Sequence, residues 1–553
     1  MRFPVGIVLR GIEIDCFVWA AVDPQVGLPV AFYIGAADGD GALHRKLENR
    51  TQDRLFAHLQ ATGLADVDGE DTAGGGCGLH NTAIVPECPE KSMTRPDIQT
   101  INPATEEPLE EFAFQSESQV EAVLRRADQA FHPWRDTRIE ERASRLTSLA
   151  QTLRANKEKL ARTMTLEMGK IIGEAEAEVE KCAREADWYA AHGPAMLADE
   201  QAPVEELESY VSFLSLGPLL AVMPWNFPLW QVTRFAIPAL LAGNAVVLKH
   251  APNVQRSALE LERVFREAGF PEGVFQNLII ATEQIQRVIH DRRIAGVTLT
   301  GSVRAGTAVA SEAGRALKKS VLELGGSDAF IVLEDADIDG AVQAGMKARF
   351  ANAGQVCIAA KRFILTEPVA DEFERRFVAA TAQLKVGDPF ERETQIGPLA
   401  RQDLREALHK QVQNSVQAGA KLLTGGTTRN ARGFFYEPTV LGCVHPGMAA
   451  SDEETFGPVA AFLRVRDADE AVQLANRSEY GLSSNLWTQD LRRARELARR
   501  IEAGSVFINS TSASDPRIPI GGVKRSGYGR ELSYFGLREF VNVQTVWIGN
   551  SRK

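Results

Sequence analysis

From residue 211 onward short apolar runs alternate with helical stretches, and this alternation limits the fold more than any other feature. The runs LLAVMP, AVVLK, NLII, GVTLTG, DAFIVL and RFILT have segments of helical pattern between most of them. Strands that are apolar along their whole length are buried on both faces, and parallel strands need a crossover that is usually a helix. The expected fold is therefore α/β, with largely parallel sheets and ligand sites at the carboxyl ends of the strands.

Upstream, residues 118–190 read as long amphipathic helices rich in Ala, Glu, Arg and Leu. Between Ser209 and Leu248 the only charged residue is Arg234. Gly217, Pro218, Pro224 and Pro228 interrupt that stretch, so it reads as buried strands and a buried helix, not a membrane span. The N-terminal apolar run is broken by Glu13 and Asp15, and no export is expected. Residues 1–92 hold 12 of the 45 glycines and show little periodicity, which predicts a disordered or non-native extension ending before Met93. A net charge of −11 argues against a partner that is nucleic acid or anionic membrane. The six cysteines form no CxxC pair, so neither a structural metal nor a disulfide scaffold is expected, and a reduced, cytoplasmic location follows.

Three constellations carry chemistry. In Pro224-Trp225-Asn226-Phe227-Pro228, directly after an apolar strand, an amide is held between prolines and aromatics. Such an amide can satisfy turn backbone groups or donate to a developing oxyanion. In Phe350-Ala351-Asn352-Ala353-Gly354-Gln355-Val356-Cys357 a thiol follows small and polar residues, a setting that allows approach; the competing reading is an inert core cysteine. In Val321-Leu322-Glu323-Leu324-Gly325-Gly326 an acid sits inside an apolar strand, where it needs either a cationic partner or a raised pKa suited to general-base work.

Taken together, in this order and spacing, these motifs resemble the aldehyde dehydrogenase superfamily over roughly residues 96–547. Further marks of the resemblance are Glu167-Met168-Gly169-Lys170, Gly243-Asn244 leading to Lys249, Thr300-Gly301-Ser302 with Gly306, Glu453-Glu454-Thr455-Phe456-Gly457-Pro458, and Gly521-Gly522-Val523-Lys524. The resemblance implies a Rossmann-type cofactor domain (93–195 and 216–326), an α/β catalytic domain (327–530) and a small β oligomerisation element (196–215 and 531–553). It implies Cys357 as nucleophile, Glu323 as the base that activates water and Asn226 as an oxyanion donor. It also implies cofactor contacts from Pro224, Trp225, Lys249, Gly301, Ser302, Gly306, Glu454 and Phe456. The common GxGxxG fingerprint is missing, and glycines at the start of the helix after GVTLT would let a pyrophosphate approach.

Within the superfamily the chain most resembles bacterial NAD(P)-dependent enzymes that oxidise succinate semialdehyde in 4-aminobutyrate breakdown. The alternative is a broad-specificity dehydrogenase of other aliphatic aldehydes or semialdehydes. Lys249-His250-Ala251-Pro252 has no acid three residues after the lysine, where NAD-selective relatives commonly carry Glu, so both NAD and NADP are expected. Arg234, eight residues past Asn226, is expected to bind the substrate carboxylate. Relatives often add a second arginine where this chain has Ala351, so a further partner is needed, with the hydroxyls of Ser510–Ser514 as candidates. Glu205–Leu216 reads as a two-strand ribbon that would need another subunit, giving a homodimer or homotetramer. Ser327-Asp328 stands where many relatives have Lys or Asn.

Overall fold

A computed structural model describes residues 16–22, 29–36, 97–204, 208–429 and 432–549. The chain divides into two units, 1–92 and 93–553. In the first, β1 (Cys16–Val22) and β2 (Pro29–Ala36) pair antiparallel. The expectation of an extension without regular structure is thus corrected for these two segments, whose sequences, CFVWAAV and PVAFYIGA, are rich in β-favouring residues. The rest of that expectation falls outside the described residues.

The second unit opens with a short antiparallel pair of strands, Ile98–Ile101 and Pro108–Phe112, followed by four helices, α1 (Glu117–Asp136), α2 (Ile139–Ala155), α3 (Lys157–Met168) and α4 (Ile172–Met196). Ser116 starts α1 with a reciprocal capping box to Gln119, and Gly169 ends α3 in the left-handed conformation, φ 78°. Two short strands follow, β3 (Glu200–Gln201) and β4 (Glu208–Ser215). Then come β5 (Pro218–Met223), α5 (Trp230–Leu241), β6 (Ala245–His250), α6 (Gln255–Glu267), β7 (Phe275–Asn277), β8 (Gly296–Thr300), α7 (Val303–Arg315) and β9 (Lys319–Glu323). Next are β10 (Asp328–Val332), α8 (Ile338–Phe350), β11 (Ala360–Thr366), β12 (Lys421–Thr424), β13 (Thr439–Gly442) and β14 (Val459–Val465). The last are β15 (Ser483–Trp487), β16 (Ser505–Ile508), β17 (Gly527–Tyr528) and β18 (Val541–Ile548).

Two mostly parallel sheets organise the unit, so the fold is α/β. The first has the order β17-β9-β8-β5-β6-β7, parallel except for β17; the second has the order β12-β13-β14-β11-β10-β15-β16, parallel except for β12. Strands β5, β6, β8 and β10 are almost wholly buried, as their uninterrupted apolar sequences demand. In the first sheet the chain steps from β5 out to β6 and β7, then crosses back so that β8 lies on the other side of β5. The crevice at the carboxyl ends of β5 and β8 is therefore a topological switch point, where open α/β sheets bind ligands.

Two expectations differ from the structure. The run NLII is not a strand of its own: β7 ends at Asn277, and Leu278, Ile280 and Ile285 pack in one cluster with α1, α7 and strands of the first sheet. The segment 205–216 is not a ribbon of its own. Residues 205–207 lie outside the described residues, and β4 is one continuous strand between β18 and β3 in an antiparallel sheet of three. Its pairing partner is the distant C-terminal strand, which no local pattern reveals.

Candidate active site

Cys357 follows a tight turn in which Asn352, Ala353 and Gly354 are all left-handed, with φ of 52°, 52° and 74°. For Asn and Ala such a conformation costs of order 1–3 kcal/mol each, so the surroundings must impose it. They do so from three sides. The buried Arg349 donates to the Gly354 carbonyl at 2.8 Å and to that of Gly457 at 2.6 Å. The Glu174 carboxylate accepts the Asn352 N–H at 3.0 Å, and Asn352 Nδ2 donates to the Asn226 carbonyl at 2.8 Å. A Cβ on Gly354 would collide with the Gly457 carbonyl, so only glycine fits there.

Asn226 lies at the carboxyl end of β5, buried, with Nδ2 donating to the Gln355 carbonyl at 3.0 Å. Its loop is anchored twice. Glu178 on α4 accepts the backbone N–H groups of Leu229 and Trp230, both at 2.9 Å, capping α5, and is itself ion-paired with Lys170. His250 Nδ1 accepts the Ala251 N–H at 2.9 Å, so Nε2 carries the hydrogen and donates to the Pro228 carbonyl at 2.8 Å. Burial pulls the pKa of His250 down to about 4, which keeps the ring neutral. The Glu167-Met168-Gly169-Lys170 motif supplies scaffold: Glu167 accepts the N–H groups of Arg256 and Ser257 at the start of α6, and Lys170 holds Glu178.

Glu323 ends β9, buried, with Oε1 lacking any hydrogen-bond partner. Burial pushes its pKa up to about 8, against the pull of Arg234. Arg234, expected at the substrate carboxylate, has carboxylates of the protein beside it. Its guanidinium lies against the carboxylate of Glu531 and 4.0 Å from that of Glu323, so its charge meets protein groups. The physical reason is that a guanidinium with 2% exposure must find a carboxylate within the fold, and Glu531, distant in sequence, supplies it. Burial raises the Cys357 thiol to about 11, while the charges of Arg234 and Lys361 pull the other way. The Lys361 ammonium donates to the Cys357 carbonyl at 2.6 Å.

The remaining predicted residues stand at strand ends and in the loops that follow them. Pro224 and Trp225 follow β5, Lys249 is the penultimate residue of β6, and Gly301 and Ser302 follow β8 at the start of the 13-residue α7. The Ser302 hydroxyl accepts the Ala305 N–H at 3.3 Å and so caps its own helix. Gly306 differs from expectation. The space a Cβ would take there is filled by the Leu324 side chain, so this glycine lets α7 pack close to the sheet. Trp225 and Phe456 meet edge to face, ring centroids 5.8 Å apart. Glu454 accepts the Gly326 N–H at 3.0 Å and stands 3.6 Å from the Lys361 ammonium.

These residues fit a dinucleotide. Lys249 is buried, its pKa is pulled down by that burial, and among the described residues no carboxylate lies within ion-pair distance of it. It is thus a donor free for a sugar or phosphate oxygen, and the start of α7 offers a helix N-terminus that favours anions. The structure also accounts for Asp328. It accepts the Ser483 N–H at 3.2 Å and the Ser483 hydroxyl, and it faces the charges of Lys361 and Arg362, so the acid stitches β10 to β15.

Sequence reasoning missed Glu531, Glu174, Glu178, His250 and Arg349. Each acts through a partner between 5 and 297 positions away, and only an acid or base within an otherwise apolar segment signalled any of them.

The chain matches the model of the aldehyde dehydrogenase family over residues 90–546. It is 52% identical over 448 residues to succinate semialdehyde dehydrogenase [NAD(P)+] Sad of Escherichia coli (strain K12), covering 81% of this chain and 97% of that one. It is 47% identical over 454 residues to succinate-semialdehyde dehydrogenase [NADP(+)] 1 of Mycobacterium tuberculosis (strain ATCC 25618 / H37Rv), covering 82% and 99%. Among solved structures, succinic semialdehyde dehydrogenase from Streptococcus pyogenes, in complex with NADP+, superposes with a TM-score of 0.80 at 39% identity, over 82% of this chain and 100% of that one. With the amide and carboxylate at the ends of strands of the first sheet and the thiol in the turn that leads into the second, this breadth of likeness makes the chain a member of the aldehyde dehydrogenase family.

Proposed function

We propose that the protein oxidises succinate semialdehyde to succinate with NAD or NADP, through a covalent intermediate on Cys357. The observation that carries the chemistry is Glu323, a buried carboxyl with a free oxygen and a pKa of about 8, close enough to Cys357 for its charge to act on the thiol. The names of the relatives support the substrate, and the absence of an acid at Ala251-Pro252 supports use of either cofactor.

Cys357 loses its proton to solvent water, and the thiolate sulfur bonds to the aldehyde carbon as the carbonyl electron pair moves onto oxygen, forming a thiohemiacetal. An Nδ2–H of Asn226 and the Cys357 backbone N–H hold the resulting oxyanion, an interaction worth about 10²–10³ in rate. Lys249, Gly301, Ser302 and Glu454 would hold the dinucleotide beside Pro224, Trp225 and Phe456; when bound, its nicotinamide supplies the two-electron oxidant. Glu323 then takes a proton from water, whose oxygen attacks the thioester carbon. The carboxylic acid leaves and the sulfur of Cys357 is restored. A base with a pKa near 8 suits this step, since it is partly ionised at neutral pH and strong enough to take the proton.

The proposed cofactor domain (93–195 and 216–326) contains five of the six strands of the first sheet, and the proposed catalytic domain (327–530) contains the whole second sheet. Cytoplasmic location and assembly into a homodimer or homotetramer belong to the same reading. Among the described residues no helix is long and apolar enough to cross a membrane. The oligomerisation element (196–215 and 531–553) is supported by the sheet β18-β4-β3, which leaves Leu214, Val543, Trp547 and Ile548 exposed, an apolar surface suited to a second copy. Steady-state kinetics with succinate semialdehyde, glutarate semialdehyde and butanal against both cofactors test the reading. The expected result is the highest kcat/KM for succinate semialdehyde, and a preference for butanal would refute the substrate.

A further inference from the structure

Lys361 is the second residue of β11, four positions past the nucleophile, and its side chain is wholly buried. Its ammonium donates to the Val356 carbonyl at 3.1 Å and to the Cys357 carbonyl at 2.6 Å, and lies 3.6 Å from the Glu454 carboxylate. All three neighbours are oxygen acceptors, which suits an ammonium with three N–H donors and leaves no partner for the lone pair of a neutral amine. A buried cation kept for stability alone is best met by a carboxylate at hydrogen-bond distance. Here both hydrogen bonds go instead to consecutive carbonyls of the turn that carries the thiol. The two carbonyls before them are held as well, Gly354 by Arg349 at 2.8 Å and Gln355 by Asn226 Nδ2 at 3.0 Å.

The planar trans peptide turns these contacts into an orientation. In the unit joining Val356 to Cys357, the C=O and the N–H point in opposite directions. An ammonium on the Val356 carbonyl therefore turns the Cys357 N–H away from Lys361, and among the described residues that N–H has no acceptor. It is left as a donor for an oxyanion. The charge acts in the same sense. Arg234 and Lys361 favour the thiolate of Cys357, while Glu323 and Glu454 oppose it. Around Lys361 stand Glu454, Asp328, Arg349 and Cys357. Glu454 accepts the Gly326 N–H and stays beyond hydrogen-bond distance of the ammonium, and Asp328 is held by Ser483, so the charge of Lys361 is only partly neutralised.

We infer that Lys361 is a positioning residue of the nucleophile: through the Val356 and Cys357 carbonyls it aims the Cys357 N–H at the reacting oxygen, and its charge favours both anions of the reaction, the thiolate and the oxyanion. The inference rests on the covalent reading above. The test compares the full-length wild type with Lys361→Met, Lys361→Gln and Glu454→Gln. It reads the rate of iodoacetamide alkylation of Cys357 at pH 8, followed on its own peptide by mass spectrometry, then kcat and KM for succinate semialdehyde and butanal, and the thermal midpoint. An adjacent opposite charge changes the thiolate population about tenfold or more, so Lys361→Met should slow alkylation by about that factor. Its kcat should fall between about tenfold and a thousandfold, equally for both aldehydes and with KM changed less than about threefold, since both form the same oxyanion. Lys361→Gln keeps an N–H donor without the charge, so it should slow alkylation as much as Lys361→Met but lose less of kcat. Glu454→Gln removes the carboxylate that shares the charge of Lys361 and should speed alkylation about threefold. A lower thermal midpoint with alkylation and kcat unchanged would make Lys361 structural and overturn the inference, as would a loss confined to KM. Should neither Lys361 variant fold, alkylation of Glu454→Gln no faster than wild type overturns it. Near-normal turnover of Cys357→Ser overturns the covalent reading, and the inference with it.

Discussion

Replacing Arg234 with methionine keeps most of the side-chain volume and removes the charge shared by Glu323 and Glu531. A unit charge 4.0 Å from the Glu323 carboxylate is worth about 4 kcal/mol at an effective dielectric of 20. Glu531 competes for the same guanidinium, so the full amount is an upper bound. With its pKa at about 8, Glu323 is ionised in about a tenth of molecules at pH 7. Loss of the cation raises that pKa further, and each 1.4 kcal/mol lost cuts the ionised fraction about tenfold. The expected outcome is a fall in turnover at pH 7 of between about tenfold and a thousandfold, equal for succinate semialdehyde and butanal, and recovered as pH is raised. The thermal midpoint should also drop, since breaking a buried pair costs about 3–5 kcal/mol. The assay is steady-state turnover of both aldehydes from pH 6 to 10, with thermal unfolding alongside. A loss confined to succinate semialdehyde, with the pH profile and thermal midpoint unchanged, would refute the argument and return Arg234 to the substrate.

Three further outcomes are expected. Cys357→Ser should abolish dehydrogenase activity while cofactor binding, followed by fluorescence titration, is retained; near-normal turnover would exclude the covalent route. Glu323→Gln should leave an initial burst of reduced cofactor with slow steady turnover, and the wild-type rise in activity through pH 8 should disappear from the steady-state profile. A burst lost in proportion to turnover would remove Glu323 from the water step. His250 has a folded pKa of about 4, below the ordinary 6.5, so its contribution to stability is complete above pH 6.5 and is lost as pH falls toward 4. The stability advantage of the wild type over His250→Gln should therefore shrink by about 3 kcal/mol across that window in pH-dependent unfolding, and a constant difference would show that the ring is not held neutral.

Much of the fold was legible locally. LLAVMP, AVVLK, GVTLTG, DAFIVL and RFILT all become strands because a run of apolar residues buried on both faces has few other homes. The long helical stretch was legible in kind but not in its breaks: α2 and α3 part at Asn156, and α3 stops at Gly169. NLII failed because three apolar residues carry no information on whether a sheet edge or a helix covers them.

The sequence by itself determined which chemistry the protein holds and where along the chain it sits. Cys357, Asn226 and Glu323 each stand at a strand end or in a turn beside glycines and prolines, and such local conformations are written in nearest neighbours. Only the tertiary structure decided how those groups are charged and held. Arg234 meets Glu531 across 297 positions, and Asn352 meets Glu174 across 178. Burial, which sets the pKa of Glu323 and raises that of the Cys357 thiol, is a property of the packed interior. No window of sequence contains it, because the partners that exclude water or share a charge are brought together by the crossovers of two sheets and not by proximity along the chain.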